Sequence, residues 1–567
     1  MRSRPASISL AVFIIALVSM AMPAQSPSAR RTAAMRLAQP LKITARPWGP
    51  TQAEIDAAKT RVLASPELAA ALKGTKYGII AFQYIEPDNA ASGEPRRYSI
   101  TFYDYTNDDA YTAESDFAAT EPVVIERLGY QPSAGAEEMS AAIGIVAKDA
   151  EFAASYSAGK TELAPAMPPV TVIDGSRYIN IGVRQAGSGA YKVVGVSLKR
   201  DAVLRYEGDA PPTSKAAPES CGMPNANQGT TINGSAGQLQ LTVSDDSGPL
   251  WEMLVIRPSA SSGGYERSGL EVRDVKYKGK SVMKRGHTPV LNVHYVGNEC
   301  GPFRDWMWQE NMFNAPAAGS SEPAPGFRIL ADGSVPTTSI ETGSDDGNFL
   351  GVAVYRQTTE VGQEVVLVSE TEAGWYRYVM EWRFAANGTI RPRFGFGAVQ
   401  DACVCATHTH NVYWRLDVDV INPANKVFQV ERGGKFMSPI LAETKRSRSY
   451  QKNRSIVVQN AAGDEAVSIT PNLSDGYADT FARGDFWLLK YQGTPTSPLE
   501  IDDPGPEVQI NIDPWVNGES LNGTDVVVWY GAQYLHNDAS RPISPDRSGE
   551  VISGQRVVGP DIRLIRW

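Results

Sequence analysis

Histidine is nearly missing from this chain, with five residues in 567. Against that background three of them, His408, His410 and His536, stand out, because each falls in or at the end of a strand-like segment. Cysteine is scarce as well: Cys221, Cys300, Cys403 and Cys405 are the full set. An even number allows three pairings in an oxidising compartment, and spacing does not choose among them. A Cys403–Cys405 bridge would be strained, since residues two apart in a strand sit near the upper limit of Cα separation, so each is expected to pair with a distant cysteine. Basic charge is not in excess: 54 Lys and Arg against 63 Asp and Glu give a net charge of −9 and a pI near 5.4. That balance argues against nucleic acid or an anionic membrane as partner. Past the N-terminal stretch Ile8 to Met22 no apolar run is long enough to cross a bilayer. Helical periodicity is absent from the final 330 residues.

What is present begins with an export signal. Arg2 and Arg4 precede the apolar stretch, and small residues between Ala21 and Ser26 offer a cleavage site, so residues 1–24 read as a signal peptide and the protein as secreted or periplasmic. A polar tail occupies 25–48. Residues 49–128 and 129–208 read as two small α+β domains, each a helix with a few strands; Thr51 and Glu54 form a capping box before the first helix, and the second is expected over Ala136 to Ser157. A Pro-, Ala- and Ser-rich linker follows at 209–228. From 229 to 567 short strands alternate with Gly, Asn, Asp and Pro, which predicts a large antiparallel β-sandwich. The fold class is mainly β.

The chemistry concentrates in three segments. In the strand expected from Thr407 to Val420, His408 and His410 share a face with Val412, Trp414 and Leu416, while Arg415, Asp417 and Asp419 point the other way, because side chains alternate with period two. A second apolar strand runs from Asp525 to His536. The intervals His410–Asp417 and Asp525–His536 are both odd, seven and eleven residues, so each strand gives a histidine to one face and an aspartate to the other. Three imidazoles suit copper or zinc; carboxylates on the outer face suit a hard cation such as calcium. The bland alternatives are satisfied core histidines and solvated aspartates. A rival Cys403-x-Cys405-x2-His408-x-His410 cluster suffers from parity, since cysteines and histidines would face opposite ways in a continuous strand. In the third segment Tyr376, Tyr378, Met380, Trp382 and Phe384 alternate on one apolar face ahead of Asn387-Gly388, a strong hairpin signal.

Together these segments resemble the copper amine oxidases, the quinone-dependent secreted or periplasmic enzymes of that name. The resemblance rests on His408-x-His410-x4-Arg415-Leu416-Asp417, on Asp525-x10-His536, on Tyr376-x-Tyr378-x3-Trp382-x-Phe384-x2-Asn387-Gly388, and on Gly269 to Val282, and it spans about residues 50 to 567. It implies a β-sandwich of the copper amine oxidase catalytic-domain type. It also implies that His408, His410 and His536 ligate copper, that Tyr376 becomes topaquinone, and that Asp417, Asp525 and the Val418 backbone hold a second cation, with oxygen donors that suit calcium. Tyr295 matches the tyrosine that neighbours the quinone. The implied reaction converts a primary amine, dioxygen and water to an aldehyde, ammonia and hydrogen peroxide, the cofactor carrying the hard step, and the implied assembly is a homodimer.

The sequence also departs from that pattern. Trp375 stands where the family has Asn before the quinone tyrosine, and Arg377 where an acidic residue usually follows. The Phe-Asp-x-Gly-Glu-Tyr setting of the family's catalytic aspartate is missing; the best register puts Asn311 there, with Asp305 able to serve if the loop shifts. Two further readings therefore stand beside the amine oxidase: a copper enzyme of different oxidative chemistry with no ordinary topaquinone, and a non-catalytic copper-binding protein. The 32-residue interval from Tyr376 to His408 is short for the family, as though a hairpin arm were lost.

Overall fold

The computed structural model describes residues 40–85, 96–132, 134–185, 191–206, 221–226, 234–263, 266–295, 300, 303–359, 362–476, 485–492, 511–536 and 558–567. The signal peptide, nearly all of the polar tail and most of the linker lie outside the described residues. Two short stretches of those regions do not behave as tail or linker. Lys42–Pro47 is an edge strand, paired antiparallel with Gln238–Asp245 of the large sheet, and Cys221 and Met223 bridge to Asp401 and Val399.

Each small unit is a four-stranded sheet with helices. In the first, Gln52–Leu63 opens on the expected capping box, with Thr51 accepting from Glu54 N and Glu54 from Thr51 N. Its Ile55, Ala58 and Val62 pack on Phe82, Tyr98 and Ile100. The expected second helix is broken in two, Ala136–Val146 and Ala153–Ser157. The break has a local cause: the Asp149 carboxylate accepts from Glu151 N at 3.0 Å, a turn contact that competes with helical pairing. Glu138 ties this unit together. It accepts from Gly135 N at 2.9 Å and from Arg177 Nη2 at 2.8 Å, with both charged side chains buried.

The remaining strands form a ten-stranded and an eleven-stranded sheet; among the described residues their strand pairs are antiparallel except where Phe327–Ile329 runs parallel to Val352–Thr359. Alternation sets the layers. Val272, Leu416 and Val528 of one sheet and Val365, Leu367, Trp382 and Phe384 of the other belong to one buried core. Among the described residues the sandwich's α-helical segments are four-residue turns, Ser339–Thr342 and Ala402–Cys405, beside 3-10 turns at Pro258–Ala260 and Asp513–Trp515. The Asn387-Gly388 turn forms as expected, with Gly388 at φ +87° and Thr389 N donating to Asn387 Oδ1 at 3.0 Å. It joins Tyr376–Ala385 to Thr389–Ala398.

Candidate metal centre

That hairpin lies in the eleven-stranded sheet, and its two ten-residue arms return the chain to its starting level, with Ala398 opposite Tyr376. The chain then crosses to the other sheet and enters the strand His408–Asp417. Two disulfides, Cys221–Cys405 and Cys300–Cys403, pin the crossing. Each cysteine pairs with a distant partner, as expected. The rival Cys/His cluster is excluded, because each of its sulfurs is held in a disulfide with its own distant partner and is no thiolate. The parity argument against it had assumed one continuous strand; Ala402–Cys405 is a helical turn instead.

The neighbouring strand Val526–His536 places His536 directly opposite His408. His408, His410 and His536 are all buried, and they sit on the inner side of the sheet. The His408 ring lies 4.9 Å from His410 and 4.7 Å from His536, centre to centre. His408 Nδ1 is 2.6 Å from Ala406 O, and a carbonyl only accepts, so Nδ1 carries the proton and Nε2 a lone pair. That lone pair faces His536 Nδ1 at 3.2 Å and the Tyr376 hydroxyl at 3.0 Å. His410 Nε2 is buried without a hydrogen-bond partner. Burial pushes the His408 pKa down to about 3, with His536 adding to the effect, and burial likewise holds His410 well below the usual imidazole range. Both are neutral donors with no proton to displace.

From the opposite sheet Tyr376 projects onto these rings. A chain of hydrogen bonds with one consistent sense runs through it. Trp375 Nε1 donates to Tyr295 Oη at 3.1 Å, the Tyr295 and Tyr376 hydroxyls are 2.5 Å apart, and Tyr376 can donate onward to His408 Nε2. Tyr295 stands on the strand Lys280–Tyr295, opposite His408. Burial raises both tyrosine pKa values well above the ordinary one. Phe396 seals the other side, its ring 3.9 Å from that of His410.

Asp305 is buried, and its carboxylate accepts from Tyr378 rather than contacting Tyr376 directly. Burial lifts its pKa to about 7, partly offset by the Tyr378 bond. The best sequence register, which places Asn311 at the base position, does not bring its amide to the tyrosines. Its amide donates to Asp345 Oδ1 and Glu370 Oε1, each at 2.9 Å, within a buried network that also holds Arg377 through Asp345. Asp345 thus supplies from a distance the carboxylate that neutralises Arg377.

On the outer face Asp417, Asp419 and Asp525 bring one carboxylate oxygen each to within 4.8 Å of one another. Asp417 Oδ1 and Asp419 Oδ1 are buried without hydrogen-bond partners. Burial, then the Asp417 charge, raises Asp419 to about 7. Val418 lies between the first two, its N–H donating to Val526 O at 3.2 Å. Sequence reasoning placed Asp419 on this face without assigning it to the cation site, although its two-residue spacing from Asp417 was the available signal. It placed Tyr378 on the apolar face without giving it a role, and it had no signal for Phe396 or the Ala406 carbonyl.

No protein-family model matches the chain, and no curated protein matches it. Solved structures do. A copper-containing benzylamine oxidase from Hansenula polymorpha superposes with a TM-score of 0.56 at 15% identity, covering 92% of this chain and 98% of its own. A Pichia pastoris lysyl oxidase gives 0.56 at 11%, covering 92% and 90%, and an Aspergillus nidulans amine oxidase 0.54 at 14%, covering 93% and 91%. The chain is thus copper amine oxidase-like in fold over about nine-tenths of its length, and divergent in sequence.

Proposed function

We propose that this protein is a copper-dependent oxidase that deaminates a primary amine to an aldehyde, with release of ammonia and hydrogen peroxide. The observation that carries the reading is the buried meeting of two imidazole nitrogens, His408 Nε2 and His536 Nδ1, with the Tyr376 hydroxyl. Two nitrogens each about 2.0 Å from one ion stand roughly 2.8 to 3.3 Å apart for bond angles between square and tetrahedral; their 3.2 Å spacing fits. His410 Nε2, buried without a partner, is the third donor. Copper at these histidines, with dioxygen, would supply the oxidation of Tyr376 to topaquinone, whose carbonyl is the electrophile that tyrosine lacks.

The chain's own groups then have assigned roles. Tyr295 holds the Tyr376 oxygen through its own hydroxyl, and Phe396 excludes water from the ring cluster. Asp305 is the carboxyl we assign to take the substrate's α-proton: at about 7 its pKa is in the range a general base needs. Asp417, Asp419, Asp525 and the Val418 backbone form the second cation site, suited by its oxygen donors to calcium. Export to the periplasm or outside the cell, and a homodimeric state, belong to the same reading. One observation favours a copper enzyme that leaves Tyr376 unmodified: the Trp375 indole occupies the family's Asn position and is tied to Tyr295.

Mass spectrometry of the Tyr376 peptide after loading with copper in air separates the two. Topaquinone adds two oxygens and removes two hydrogens; an unchanged mass in copper-replete protein rules it out. Peroxide release from a panel of primary amines tests the activity. His536→Ala should abolish stoichiometric copper binding, and copper retained at the wild-type level would overturn the ligand assignment.

A further inference from the structure

Tyr378 is two residues beyond Tyr376 and on the same face, opposite Thr371 and Phe396 in its own sheet. Its ring lies 5.6 Å from that of Tyr376 and 5.7 Å from that of His410. It is fully buried, and its hydroxyl meets two groups of different kinds. It donates to Asp305 Oδ2, and it stands 3.3 Å from His410 Nδ1. A phenol has one proton. With that proton committed to the carboxylate, the phenol oxygen presents only lone pairs to His410, so the contact is made when Nδ1 carries the hydrogen. The tautomer follows: Nε2 of His410 is left as an acceptor, and Nε2 is the atom that is buried with no hydrogen-bond partner.

The same result is reached by different means at His408, where a backbone carbonyl fixes the Nδ1 proton. His410 has no such carbonyl, and a side chain does the work. From this arrangement we propose that Tyr378, anchored by Asp305, is a positioning residue for the metal: it holds His410 in the tautomer and ring orientation that offer Nε2 to the ion. The inference rests on the copper reading above and adds to it a residue with no other assignment. It also gives Asp305 a structural duty separate from proton abstraction. The anchoring duty needs only an acceptor oxygen, which an amide also has; proton abstraction needs a carboxylate.

The two duties predict different outcomes for the same position. Outer-shell partners of metal-bound histidines typically contribute 10- to 100-fold to affinity. Tyr378→Phe in the full-length protein should therefore weaken copper binding by about 10- to 100-fold in competition against a chelator. It should also alter the copper EPR spectrum, while the thermal midpoint of the metal-free protein stays close to wild type. Asp305→Asn should keep wild-type copper affinity and EPR while losing amine turnover. Asp305→Ala, which removes the acceptor, should weaken copper as Tyr378→Phe does, and should add nothing further when combined with it, because the two act in series. Wild-type affinity and spectrum in Tyr378→Phe, or additive losses in the double variant, would overturn the proposal. Failure of the underlying copper reading has another signature: wild-type protein that takes up no stoichiometric copper, or His408→Ala that takes up as much as wild type.

Discussion

Asp305 gives a prediction whose sign and size both follow from burial. The carboxyl has one hydrogen-bond donor, Tyr378, and little else to offset its removal from water, so its pKa rises from 3.8 to about 7. Between those values the unfolded chain has released the proton and the folded protein keeps it. The folded state then binds more protons than the unfolded one, and stability falls as pH rises through that window. The group's favourable contribution is complete below about pH 4 and gone above about pH 7. At about 1.4 kcal/mol per pH unit, the ionised form costs the fold at most about 4 kcal/mol. Asp305→Asn keeps an acceptor for Tyr378 and cannot ionise. It should match wild type near pH 4 and exceed it by an amount that grows to a plateau above pH 7. For a domain of this size, scaling the usual unfolding entropy per residue makes 4 kcal/mol about 5 °C in melting midpoint. Calorimetry of chelator-treated protein at pH 4, 6 and 8 measures the difference directly. A difference independent of pH, or an Asn variant that loses ground as pH rises, would refute the burial argument.

Other perturbations test the frame around the site. Replacing Cys300 and Cys403 by serine opens a loop closed over 103 residues, which in the chain-entropy account costs about 4 to 5 kcal/mol. It also frees the crossing ahead of His408, so both the melting midpoint and copper affinity should fall, measured by calorimetry and chelator competition. Glu138→Ala strands the buried Arg177 guanidinium and should destabilise by about 3 to 5 kcal/mol in denaturant titration, with the copper content of the folded protein unchanged. Gly135→Ala would place a Cβ 2.6 Å from the Ile80 carbonyl. Backbone does not give as a flexible side chain does, so this small change should lower the melting midpoint measurably.

Much of this arrangement was legible from period-two alternation alone. His408, His410 and His536 inside, with Asp417 and Asp525 outside, follow from the odd intervals between them, and the register pairing His408 with His536 keeps those faces aligned. What parity could not supply was anything set by chain reversal or by contact between sheets. The turn at Ala402–Cys405 interrupts the period, so the parity comparison between cysteines and histidines does not apply. The fate of Asn311 depends on a loop path from Phe303 to Phe313 that carries no periodic pattern. The Lys42–Pro47 strand is short, at a sheet edge and alternates only between exposed and half-buried; such a segment has little apolar signature to separate it from a polar tail. The Tyr378 contact with Asp305 joins residues 73 positions apart, and nothing local in either segment announces it.

The hairpin explains why a short interval between Tyr376 and His408 is enough. Its arms are equal, ten residues each, so whatever their length the chain returns to the level of Tyr376, and Ala398 ends opposite it. The distance to be covered is then only the step between sheets, from Ala398 to His408, and that step is the part tied down by two disulfides. Arm length should be a free variable and crossing length a fixed one. Inserting Gly-Ser between Asn387 and Gly388, at the far end of the hairpin, should leave copper affinity at the wild-type value. Deleting Thr407 shortens the crossing by one residue; the strand after it must either stretch or slip, and a one-residue slip turns both histidines to the outer face. That variant should lose copper binding while circular dichroism still reports a folded β protein. Equal copper affinity in the insertion and the deletion would mean that the crossing does not set the site.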